Sequence, residues 1–237
     1  SPHNPEVMWA FKEVCQGIKE SCKVLNTPVV SGNVSLHNQS DGVDIYPTPS
    51  IVSVGLIDDV SKVVSSTFQT QGNMLVLLGE IKAEFGGSLA QKILEGHIYG
   101  QIPSIDLTQE FALWNLMLEA SDECMLSAAK DIGEGGLAIT LAKMALGNGE
   151  CQPIGCNVHT HLPSQLLFAP SQSCIIVEVA GEHLNTLKQK AKQHKIAFTE
   201  IGCVGGDIFC VDEINISLEE MKKLYFESFE KLIAQDL

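Results

Sequence analysis

Thr27-Pro28-Val29-Val30-Ser31-Gly32-Asn33-Val34-Ser35-Leu36-His37-Asn38 is the stretch on which the reading of this chain turns. Pro28 suits a strand entrance, where its missing N–H costs little, and Val29 and Val30 carry β-branched propensity inward. The run then opens into small, hydrogen-bonding residues. Gly32 lets the backbone come close to a ligand, and Asn33, Ser35 and Asn38 supply amide and hydroxyl groups for an oxygen-seeking cation or for phosphate oxygens. A polar turn between strands favours the same residue types, so pattern alone leaves both readings open.

Upstream, Asn4-Pro5-Glu6 has the order of a helix start: a capping amide, a proline for the first helical position and a carboxylate at the positive end of the dipole. Val7, Met8, Phe11, Val14, Cys15, Ile18, Cys22 and Leu25 follow at helical spacing and predict one apolar face to about residue 25. Downstream, residues 39–42 are turn formers, and each proline of Tyr46-Pro47-Thr48-Pro49 restricts the residue before it. Residues 50–57 then read as a β-strand closed by Asp58 and Asp59, a pair that serves as a solvated strand end, a helix cap or a cation ligand.

Residues 61–73 lower the hydrophobicity without a helical period, which predicts a junction near 66–72 and two domains, 1–68 and 69–237. A strand is expected at 74–78, a short helix at 88–94, a longer one at 105–120, and a strand at 173–179. A lysine-rich helix at 181–194, a hairpin across 198–211 and a terminal helix capped by Ser217 complete the order. The fold class is α/β, built as α+β layers in which helices cover sheets. Asp131-Ile132-Gly133-Glu134-Gly135-Gly136-Leu137 opens a further helix that runs through Leu146. This turn can hold a phosphate on N–H groups or a cation on Asp131, or it can be the tight turn that lets the helix pack on a sheet.

Composition narrows the function. With 237 residues, 45% of them hydrophobic, the chain can bury a sizeable core. Its net charge of −14 and 15 scattered basic residues disfavour nucleic acid or an anionic membrane as a partner. No apolar run approaches the roughly 20 residues of a membrane span, and Ser1 opens no leader, so an intracellular, cytoplasmic segment of a longer polypeptide is expected. The eight cysteines read as free thiols. Cys151, Cys156, His159 and His161 place two thiols and two imidazoles close together, but their spacing is not that of a structural zinc site.

Taken together, Asn4-Pro5-Glu6, Ser31-Gly32-Asn33-Val34-Ser35-Leu36, Tyr46-Pro47-Thr48-Pro49, Gly86-Gly87-Ser88, the 131–137 turn and residues 167–172 resemble one family. It is the large subunit of phosphoribosylformylglycinamidine synthase, second half, within the wider group of aminoimidazole ribonucleotide (AIR) synthase-like enzymes. The resemblance implies a strand-rich front domain that pairs with a counterpart in the other half, followed by a mixed sheet covered by helices. Uncovered, that front sheet implies a homodimer or a tendency to associate. Two positions depart from the wider group: Gly133 and Glu134 stand where its signature has serine and aspartate. Pro170 stands where the family often has a glutamate.

The implied reaction converts formylglycinamide ribonucleotide to its amidine with ATP and ammonia, the ammonia arising from glutamine in a partner subunit. ATP activates the amide oxygen as a phosphate ester, ammonia adds to the carbon, and phosphate leaves. By position in the motif, Gly32 contacts ATP through its backbone, Asn33 coordinates Mg2+ and Ser35 contacts the substrate. No catalytic residue is assigned to this chain, because the histidine base and most carboxylate ligands belong to the other half. The partners implied are a glutaminase subunit and a small accessory subunit. A non-catalytic half that completes a pseudo-dimer and docks those subunits is the rival reading. Thiamine-monophosphate kinase and selenophosphate synthetase are disfavoured by Tyr46 to Pro49 and by the 32–38 loop.

Overall fold

In the computed structural model, residues 1–149 and 151–235 are described, and they divide into two compact units at Asp58/Asp59. In the first unit, Asn4 Oδ1 accepts the Glu6 N–H at 3.0 Å and Pro5 occupies the first turn of α1 (Pro5–Val24), as the sequence predicts. A hairpin of two short strands, β1 (Gln39–Ser40) and β2 (Val43–Asp44), turns on Asp41 and Gly42. Both have positive φ, the left-handed pair that matches the twist of the strands.

The expected strands at Val29–Val30 and at residues 50–57 do not form. A strand exists only by its ladder, and among the described residues nothing pairs with either segment. Their apolar side chains stay bare, with Val30 92% and Val54 94% exposed. No residue of this unit is buried; the predicted apolar face of α1 is only half covered, and Cys15, expected on it, is exposed.

The second unit is built on a seven-stranded sheet. Its strands are β3 (Met74–Leu78), β4 (Leu126–Asp131), β5 (Cys156–Val158), β6 (Ile175–Val179), β7 (Phe198–Val204), β8 (Ile208–Val211) and β9 (Ile214–Ser217), in the order β4-β6-β3-β7-β5-β8-β9. Period-two alternation along β3 sends Leu75 and Leu77 to one face and Val76 and Leu78 to the other. The first face packs on α4 (Gly136–Leu146) and α6 (Leu218–Gln235), the second on α3 (Leu107–Asp122) and α5 (Gly181–Gln193). These layers are the mixed sheet under helices that the sequence predicts. A shorter α2 (Leu89–Glu95) is capped by the buried hydroxyl of Ser88. Ser217 Oγ caps α6 by accepting the Glu220 N–H.

Residues 198–211 are not a hairpin. β5 lies between β7 and β8, antiparallel to the first and parallel to the second. The hairpin is β8–β9, turning at Asp212, whose φ is +50°. Gly205 and Gly206 let the chain leave β7 and return one strand further out, a crossover that no local pattern distinguishes from a turn.

Candidate functional site

Gly32, Asn33 and Ser35 lie together on the irregular segment between α1 and β1, all exposed. A Cβ built on Gly32 meets nothing within 4 Å, so its backbone is open to a ligand. The side chains of Asn33 and Ser35 make no hydrogen bond among the described residues, which leaves an amide and a hydroxyl free to take one. As a cation site the loop is incomplete. It supplies neutral oxygens, whereas Mg2+ is held through one or two carboxylates together with substrate phosphates. A Mg2+ site that used the Asn33 amide oxygen would need its carboxylates from elsewhere. Among the described residues, no group of three or more His, Cys, Asp or Glu is placed to hold a metal ion.

That finding covers the Cys151, Cys156, His159 and His161 set. Cys156 is buried in β5, while Cys151, His159 and His161 are exposed. Burial pushes the Cys156 thiol up to about 12, away from the thiolate that a metal would need.

A second convergence sits in the second unit. β3 and β4 both run antiparallel to β6, so the chain leaves both at the end of the sheet where it enters β6. The loops there are tied to one another. Glu134 Oε2 accepts the Leu89 N–H at 3.0 Å, Ser171 Oγ accepts the Lys82 N–H at 2.8 Å, and Cys174 Sγ reaches the Glu80 carbonyl at 3.2 Å. Gly135 and Gly136 have φ of +88° and +66°. A Cβ on Gly136 would lie 2.5 Å from the Phe168 carbonyl carbon, so this glycine is required by close packing of the α4 entrance on residues 167–169. No side chain caps α4. Glu134, in the position where the wider group has aspartate, is spent on the α2 entrance.

Sequence reasoning missed Glu178. It is fully buried on β6, and its carboxylate accepts N–H groups from Gln69, Thr70 and the Asn73 amide, each at 2.8 Å. The signal was present: a lone acid inside Ile175-Ile176-Val177-Glu178-Val179.

Comparison with known proteins follows this division. Residues 1–57 match the family model "AIR synthase related protein, N-terminal domain", and residues 70–209 match "AIR synthase related protein, C-terminal domain". The chain belongs to the AIR synthase related family. Over 233 residues it is 48% identical to phosphoribosylformylglycinamidine synthase subunit PurL of Wolinella succinogenes, a match covering 98% of this chain and 31% of that protein. PurL of Sulfurovum sp. is 46% identical over 237 residues, covering 100% and 32%. The chain thus spans about a third of the length of these curated relatives. Among solved structures, T. maritima PurL complexed with FGAR has a TM-score of 0.57 at 18% identity, covering 69% of this chain and 30% of that one. T. maritima PurL complexed with ATP gives 0.53 at 16%, covering 69% and 28%. At these identities the likeness to the solved structures speaks for the fold.

Proposed function

We propose that this chain is one part of an ATP-dependent, amidine-forming ligase of purine biosynthesis, which converts formylglycinamide ribonucleotide to formylglycinamidine ribonucleotide. The observation that carries the reading is the similarity to proteins named PurL along essentially all of the chain. In this reading the open backbone at Gly32 receives ATP, the unpaired Asn33 amide oxygen takes one position on Mg2+, and the Ser35 hydroxyl holds the ribonucleotide. When bound, Mg2+ neutralises crowded phosphate oxygens; the loop residues bind and orient the reactants beside it. Ammonia comes from a glutaminase subunit, assembled with a small accessory subunit, in the cytoplasm. Among the described residues no helix is long and apolar enough to cross a membrane.

The test is ATP cleavage by the full-length polypeptide that contains this chain, supplied with ammonium. Phosphate release is expected to require formylglycinamide ribonucleotide; release that ignores it would exclude the reaction. The 237-residue chain alone is expected to be inactive.

The bare first unit supports a second element of the proposal. Its unpaired apolar segments are the surface through which the isolated chain associates into a homodimer. Sedimentation of the isolated chain is expected to give a mass above the 25.6 kDa of one copy, rising with concentration. A single 25.6 kDa species at high concentration would count against it.

A further inference from the structure

The loop that carries Gly32, Asn33 and Ser35 is fastened only at its ends. It leaves the C-terminus of α1, where the Thr27 N–H donates to the Cys22 carbonyl at 3.1 Å, and it returns to the N-terminus of the same helix, where the His37 and His3 ring centroids lie 6.1 Å apart. The 20 residues of α1 span about 30 Å, and the stretch from Thr27 to His37 reaches at most about 35 Å when fully extended. It is therefore a strap drawn nearly tight between the two ends of the helix. Residues 28–36 are all exposed and make no hydrogen bond among the described residues, so nothing seen along the way holds them.

Asp44 fastens the returning end. Its Oδ1 accepts the Gln39 side-chain amide at 2.6 Å, with the Ser1 nitrogen 3.5 Å away, and its Oδ2 accepts the Asn4 side-chain amide at 3.4 Å. Gln39 and Asp44 are ladder partners in the β1–β2 hairpin, and the Ile45 N–H donates to the Asn38 carbonyl at 3.2 Å. Strap, hairpin and helix thus meet at one carboxylate. Asn4 serves both sides of the junction: its oxygen accepts the Glu6 N–H and caps α1, while its nitrogen reaches Asp44. The Gln39 amide, the strongest influence on Asp44, holds that carboxyl below its ordinary range.

Building on the assignment of ATP and Mg2+ to this loop, we infer that Asp44 is a positioning residue for it. By pinning the foot of the hairpin to the cap of α1, Asp44 keeps the strap stretched, and with it the Gly32 backbone, the Asn33 amide and the Ser35 hydroxyl in the arrangement that receives the nucleotide. A ligand that needs the stretched strap binds an unfastened one more weakly, in proportion to the fraction of time the strap is in place. The bound state is the same in both cases, so the steps after binding keep their rate.

The test is steady-state kinetics on the full-length polypeptide, separating KM for ATP from kcat. Asn4→Asp leaves α1 a good cap and sets carboxylate against carboxylate at the junction. KM for ATP is expected to rise about fivefold, the ratio that corresponds to one lost hydrogen bond, with kcat unchanged. Adding Asp44→Asn restores a donor and an acceptor with their roles exchanged, and KM is expected to return to the parent value. Gln39→Ala, a change at an exposed side chain, should raise KM in the same way and decides the matter if Asn4→Asp weakens α1. Unchanged KM in both variants overturns the proposal, as does a fall in kcat at constant KM, or a raised KM that Asp44→Asn does not correct. Failure of the ATP assignment shows elsewhere, as parent-like turnover in Asn33→Ala, so the two failures are told apart.

Discussion

Asn33→Ala in the full-length polypeptide is expected to lower formylglycinamide-dependent ATP turnover by about a hundredfold or more, the cost typical of deleting one polar group that meets charge in the transition state. Asn33 is exposed and its side chain makes no hydrogen bond among the described residues, so the substitution removes no contact seen to hold the fold. Thermal and denaturant midpoints should match the parent, which assigns any loss of turnover to the site. Raising Mg2+ should recover part of the activity if the amide oxygen is a ligand. Under the rival reading, a half retained only to complete a pseudo-dimer and dock subunits, turnover stays near the parent level. Steady-state assay of the two proteins at several Mg2+ concentrations separates the readings.

Gly136→Ala should destabilise the second unit by about 2–5 kcal/mol, because two separate penalties meet at one added methyl group. Left-handed backbone costs an L-residue about 1–2 kcal/mol, and forcing atoms into a packed interior adds about 1–3 kcal/mol. Both apply at this position. Its φ is +66°, and the new carbon would stand 2.5 Å from the Phe168 carbonyl carbon and 2.7 Å from the Ala169 nitrogen and the Leu167 oxygen. These are backbone atoms, which cannot swing aside as a side-chain tip can. Gly32→Ala is the control, because nothing lies within 4 Å of its Cβ. Urea titration should move the midpoint sharply for Gly136→Ala and scarcely for Gly32→Ala; equal midpoints would mean that the α4 entrance can relax.

Features encoded by neighbours in the chain were legible in the sequence. Asn4-Pro5 marks the start of α1, the turn formers of 39–42 contain the β1–β2 turn at Asp41 and Gly42 although Gln39 and Ser40 are strand, and α4 ends at Leu146 as expected. Each depends on contacts a few residues away. Long-range placement was not legible. The segment at 50–57 has every local property of a strand and lacks a partner, so β propensity leaves it bare. The insertion of β5 between β7 and β8 depends on residues far apart in the chain. Residues 59–69, which lie between the two family models and include part of the predicted junction, belong to the second unit because Phe68 and Gln69 are anchored on it.

The candidate site divides in the same way. Gly32, Asn33 and Ser35 could be singled out because they sit within one motif. The 131–137 turn and the 167–172 segment stand out one at a time, but that Glu134, Ser171 and Gly136 are tied together does not, since only the topology of the sheet brings their loops to one end.

The position of β5 also bears on how the molecule is made. Residues 156–158 find their ladder partners only at 202–204 and 209–211. During synthesis β5 therefore stays without any ladder partner until β7 has left the ribosome, and a chain terminated before residue 202 would carry both of its edges unpaired, a product for chaperones and proteases.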